Sequence, residues 1–287
     1  MAPLDYRWGH AVNSRALLDD VKQQLKRASE QHFAANDYVN AIEADIIWSE
    51  RQQLPVMGHP PQTDGELTLQ VFLQEMETLS KLFVATTSTT PLIVKLDFKS
   101  AQAFQASYEL LRGFIVFFPF PQSIFINADI LVGPANTSDI LFSATEFLEL
   151  ASALGSIDGP NDHKIVLSVG WTTSNATDEE IHRPYTSVMV DEMLQVLKPY
   201  QHLHVTFPLR ATSVRQSWSV LEKLLTGPST YGFTLWWAKT QMSTEELEWL
   251  YHKLGEETGV DGKIRFAGRT FYDILGFEDF LKRRPSA

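Results

Sequence analysis

Apolar strand-like runs alternate with helical patterns along this 287-residue chain, and that alternation limits the fold more than any single motif does. Strands are predicted at Leu4–Trp8, Tyr38–Trp48, Pro91–Phe98, Ser123–Leu131, Lys164–Trp171, His202–Leu209, Tyr231–Trp237 and Lys263–Ala267. Between them, apolar residues recur at helical spacing. Leu17, Leu18, Val21 and Leu25 form one such stripe, capped by Asn13 or Ser14. Leu69, Phe72, Leu73, Met76, Leu79 and Phe83 form another, after the His59-Pro60-Pro61 turn. Ser100, Ser143 with Glu146, Ser213 with Gln216 and Ser243 with Glu246 mark further helix starts, and the last helix is placed from about Phe271 to Leu281. A closed (β/α)8 barrel and an open doubly wound sheet both suit strict alternation. The count of eight, and the lack of a Gly-rich phosphate loop, favour a single TIM barrel over residues 1–287.

With 44% hydrophobic and 21% charged residues the chain can fill the core of one large domain. Its net charge of −11 excludes a bulk nucleic-acid-binding or anionic-membrane-binding surface, so any polyanion must be handled by a local basic pocket. There is no cysteine, hence no disulfide and no thiolate metal site. No run approaches the ~20 apolar residues of a membrane span. The opening MAPLDYRWGH lacks a basic segment followed by an apolar core, which reads as a cytoplasmic chain, secreted only if the N-terminus is trimmed.

The polar residues within the strands carry the chemistry. Glu43 and Asp45 alternate with Ile42, Ala44 and Ile46, so both carboxylates point to one side of their strand. Lys95, Asp97 and Lys99 share one face of the next. Like charges on one strand are costly unless a divalent cation or basic side chains offset them. His10 and His59 stand in turns after strands, and Asn127, Asp129, Ser168, Thr206, Arg210 and Trp236 lie late in theirs. A barrel collects such strand ends at one mouth. Glu43, Asp45 and Asp97 supply the hard oxygen ligands magnesium prefers, with calcium or manganese as alternatives. His10 and His59 can act as acid and base across a P–O bond, with Lys95 or Lys99 holding the phosphate. Asn127, Arg210 and Trp236 are further candidates for substrate contact. The purely structural reading is that Glu43 and Asp45 pair with Lys95 and Lys99 inside the barrel.

Gly9-His10-Ala11-Val12-Asn13-Ser14, Ile42-Glu43-Ala44-Asp45, Gly58-His59-Pro60-Pro61 and Lys95-Leu96-Asp97-Phe98-Lys99 resemble, in order, the motifs of the menorin family. That family is similar to phospholipase-C-like phosphodiesterases, among them glycerophosphodiester phosphodiesterases and spider-venom sphingomyelinase D, which are TIM barrels with one magnesium or calcium ion. The resemblance implies metal ligands at Glu43, Asp45 and Asp97, acid–base roles for His10 and His59, phosphate contact by Lys99 and a late-strand tryptophan at Trp236, with Trp237 as the alternative. Ala11 stands where the glycerophosphodiesterases have arginine, and the disulfides around the venom enzymes' catalytic loop have no counterpart. The expected function is a metal-dependent phosphodiesterase. Its substrate would be a lipid headgroup, nucleotide or single-stranded oligonucleotide ester, opened by water or cyclised by an internal hydroxyl. Menorin's role as a secreted factor in neuronal branching supplies the alternative, a non-catalytic barrel that binds a protein partner.

Overall fold

Both faces of Ala41–Ser49 (β2) are covered: Ala41, Ile42, Ala44 and Ile46 have no exposed surface, and the carboxylates between them are buried too. A strand buried on both sides belongs to a parallel sheet with helices packed over it. The computed structural model bears this out, describing residues 3–31, 38–85, 91–135, 142–155, 164–174 and 177–284. The chain divides into two compact units, Asp5–Ile130 with Ile140–Val169, and Met1–Leu4 with Leu131–Asp139 and Gly170–Ala287.

The first unit holds Trp8–Gly9 (β1), β2, Ile93–Phe98 (β4) and Ile124–Leu131 (β5, to Ile130), paired in that order and all parallel. Arg15–Gln31 (α1), Leu69–Ala85 (α2) and Ala101–Phe117 (α3) make the crossovers, and Ala144–Gly155 (α4) leads into Ile165–Trp171 (β6). The six apolar residues of the α2 stripe are all buried, as expected. In α1, Leu18, Val21 and Leu25 are buried, but Leu17 is 49% exposed because it falls to the edge of the stripe. Ser14, Ser100 and Ser143 cap their helices. Phe98, Phe104, Phe147 and Phe142 form a chain of ring contacts over β4.

The second unit holds Val205–Arg210 (β7), Tyr231–Trp237 (β8) and Thr270–Ile274 (β9), again parallel and in sequence order. Its helices are Asp178–Ile181 (α5), Ser187–Val196 (α6), Ala211–Thr226 (α7), Thr244–Tyr251 (α8) and Phe277–Arg283 (α9). Trp171, Tyr185, Phe207, Tyr231 and Phe233 interlock in its core.

The α/β class and the eight helix-linked strands match the sequence reading, with four corrections among the described residues. The first strand is Trp8–Gly9, because Pro3–Asp5 winds into a 3-10 turn. Leu54–Met57 (β3) folds back antiparallel on β2; a four-residue run containing Pro55 gave no strand signal. The last strand is Thr270–Ile274, where Thr270, Tyr272 and Ile274 are buried, so the last helix, expected from about Phe271 to Leu281, is instead Phe277–Arg283. The expected Lys263–Ala267 is mostly turn, with Arg265 turned outward to Glu222 and Glu257. Finally, Ser213 does not open a helix: α7 starts two residues earlier, and the Ser213 hydroxyl faces Arg210.

Candidate active site

Parallel pairing sets in-register residues side by side on one face. Glu43 therefore stands beside Lys95, and Asp45, Asp97 and Asn127 form the next row across β2, β4 and β5. The result brings one ligand oxygen each from Glu43, Asp45 and Asp97 within 4.8 Å of one another.

Each carboxylate is held by partners. Asn13 Nδ2 donates to Asp45 Oδ2 at 2.7 Å, and its Oδ1 accepts the Asp45 N–H at 2.8 Å. Asn127 Nδ2 donates to Asp97 Oδ1 at 2.7 Å, and Ser168 Oγ donates to Asn127 Oδ1 at 2.5 Å, fixing which way the amide faces. Lys99 follows β4, its N–H donating to the Ile46 carbonyl at 2.9 Å. Its Nζ bridges Asp97 Oδ2 at 2.7 Å and Asp45 Oδ1 at 2.9 Å.

His10 leaves β1 into a turn at Ala11, whose φ of +52° lies in the left-handed region. That conformation aims the Ala11 N–H at Glu43 Oε2, 2.7 Å away. His10 Nδ1 stands 3.7 Å from the same oxygen, with its side chain 36% exposed. Lys95 Nζ is 4.0 Å from Glu43 Oε1 and buried.

His59 stands exposed on the loop after β3, where Gly58 N–H donates to the Asp45 carbonyl at 3.0 Å. His59 Nδ1 lies 2.6 Å from the Pro60 carbonyl, an acceptor, which makes Nδ1–H the donor and turns Nε2 away from that contact. In place of a disulfide, Asp64 anchors this loop by accepting from Ser49, Arg51 and Gln52. Gly65 is required beside it, since a Cβ there would lie 2.2 Å from the Met57 carbonyl oxygen.

Asp129 belongs with this group although it was not among the candidates. Its signal was its position two residues beyond Asn127 on the same face of β5. Burial, reinforced by Asp97, pushes its carboxyl up to about 7. Burial and then Asp45 likewise push Glu43 up to about 7. For Asp97, burial works upward, but Lys99 and Lys95 outweigh it and hold the carboxyl below its usual range. Burial would lower Lys99, yet Asp97 and Asp45 keep its ammonium well above the ordinary value. Four carboxylates thus face two ammonium groups, a deficit that either two protons or one divalent cation balances. An all-oxygen donor set suits a hard cation.

Arg210 and Trp236 belong to the second unit. Arg210 is fully buried, its guanidinium donating to the Ser174 and Glu180 carbonyls at 2.6 and 2.5 Å. Trp236 is half-buried on β8. Thr206 pairs with Thr234, hydroxyl to hydroxyl, at 2.8 Å.

Helix-linked parallel strands that gather carboxylates, lysines and a histidine near their ends define an α/β protein with a candidate cation and acid–base site. The chain belongs to the menorin family: the Menorin N-terminal domain matches residues 3–258. It is similar to Protein FAM151B of Homo sapiens, 31% identical over 273 residues that make up 93% of this chain and 82% of that protein. No described helix is long and apolar enough to cross a membrane.

Proposed function

We propose that the chain is a metal-dependent phosphodiesterase, built as one (β/α)8 barrel of the phospholipase-C-like type. The observation that carries this reading is the meeting of Glu43, Asp45 and Asp97, with ligand oxygens within 4.8 Å, beside His10 and Lys99. Those three carboxylates would hold magnesium, with calcium or manganese as alternatives. When bound, the cation would polarise a phosphoryl oxygen and offset charge in the transition state.

The chain's own groups do the rest. His10 and His59 move the protons, one accepting from the attacking hydroxyl or water and the other donating to the leaving oxygen. Lys99 meets the anionic phosphate oxygen, Lys95 supplies fixed positive charge beneath Glu43, and Asn127 keeps Asp97 in place. A surface of net charge −11 suits a small lipid-headgroup or nucleotide ester, or a short single strand, better than a duplex.

The test is cleavage of bis(p-nitrophenyl) phosphate with and without magnesium. Wild type should turn over only with the metal, and His10→Ala should be slower by about a hundredfold or more. Equal rates, or no cleavage of this and a panel of lipid and nucleotide diesters, would overturn the reading. A non-catalytic, partner-binding barrel is the second reading. It is favoured by the protein partners that every carboxylate of the trio already has.

A further inference from the structure

Asp45 and Asp97 each divide their two oxygens in the same way. One oxygen takes an amide, from Asn13 or Asn127, both at 2.7 Å. The other takes Lys99, at 2.9 and 2.7 Å. Lys99 thus holds, on each aspartate, the oxygen that no amide takes. A divalent ion binds carboxylate oxygen at roughly 2.0–2.6 Å and cannot share that position with an ammonium.

The two lysines differ in what they are free to do. Lys95 lies on the inner row, its side chain 4% exposed. Lys99 lies past the end of β4, its side chain 20% exposed on a flexible four-carbon stem. Asp129 on the neighbouring strand is close enough for its charge to act on Lys99.

We propose that Lys99 is a displaceable counter-ion: it occupies the cation position between Asp45 and Asp97, and leaves it when a divalent cation binds. Displacement turns its ammonium outward, where it receives an anionic oxygen of the substrate. Lys99 thereby offsets Asp45 and Asp97 while the site is empty of metal, and its phosphate-binding charge is deployed only when the metal is present. This inference rests on the metal reading above and deepens it.

Wild-type protein is labelled briefly with an amine-acetylating N-hydroxysuccinimide ester, with and without magnesium. Lys99 and Lys95 are quantified by mass spectrometry, and magnesium binding is measured by calorimetry on the same sample. Lys99 labelling should rise severalfold as magnesium saturates the site, with Lys95 unchanged. An ion that merely covered the site would lower it. Lys99→Met should bind magnesium at least about tenfold more tightly, having no ammonium to move; should that variant fail to fold, the labelling still decides. If magnesium binds but Lys99 labelling stays flat or falls, the displacement is wrong and the metal site stands. If neither protein takes up magnesium, both fall.

Discussion

Asn13 and Asp45 are joined at two points, the amide Nδ2 donating to Oδ2 at 2.7 Å and Oδ1 accepting the backbone N–H at 2.8 Å. The amide imitates a strand neighbour, fixing the Asp45 rotamer and fastening the His10 turn to β2 in one stroke. Hydrogen bonds to a charged group are worth about 1.5–3 kcal/mol. Asn13→Ala should therefore cost about 2 kcal/mol in urea unfolding and slow phosphodiester cleavage by about tenfold or more. Asn13→Asp should do worse, since it sets another negative charge against Asp45.

Asp64 should matter to turnover through His59. Hydrogen bonds from Ser49, Gln52 and Arg51 hold its carboxyl well below the usual range. That contribution is present above the ordinary carboxylate pKa and is lost as pH falls through the depressed one. Asp64→Ala should release the loop after β3 and lower kcat by about tenfold, with KM little changed, because misplacing a proton-transfer group affects the chemical step. Rates measured against substrate concentration at neutral pH separate the two constants. An unchanged kcat would remove the loop from the mechanism.

The candidate residues that meet in the first unit were legible in the sequence for one reason: strand periodicity settles which side chains share a face. Glu43 with Asp45, and Lys95 with Asp97 and Lys99, needed no knowledge of the partner strands. What the sequence withheld was register and local reach. Asn13 reads as a helix cap, and its pairing with a residue 32 positions away shows only once β1 and β2 lie side by side. Asp129 was visible, but its coupling to Asp97 and the lysines shows only once β4 and β5 are aligned. Residues 271–274 lie in the stretch expected to open the last helix, and burial of Tyr272 and Ile274 in the sheet makes them strand instead.

Arg210 offers a direct test of structural against substrate-binding use. Burial lowers its pKa, and its guanidinium is engaged by the Ser174 and Glu180 carbonyls, with the Ser213 hydroxyl 3.4 Å away. Arg210→Ala should cost about 3 kcal/mol, since it removes the donors to two part-buried carbonyls and leaves a cavity where a fully buried side chain stood. Arg210→Lys should recover only part of that, because an ammonium cannot span the same acceptors. In both variants kcat/KM, assayed well below the melting temperature, should match wild type. A fall in kcat/KM for folded Arg210→Lys would instead mark contact with substrate.

Glu43 and Asp129 titrate near 7 in the folded chain against ordinary values of 4.5 and 3.8, burial being the chief cause in both. A carboxyl raised by folding keeps a proton that the unfolded chain has already lost. Its stabilisation is full below the unfolded pKa and disappears as pH rises through about 7. Metal-free protein should therefore melt lower at about pH 8 than at about pH 5, by an amount worth at most a few kcal/mol. Magnesium competes with the same protons, so it should restore the melting temperature strongly at about pH 8 and weakly at about pH 5, releasing protons as it binds. Asp129→Asn should flatten part of the metal-free slope, because an amide has no proton to lose. A metal-free melting temperature that climbs across this range would mean that Glu43 and Asp129 are already ionised, and that the lysines alone balance the site.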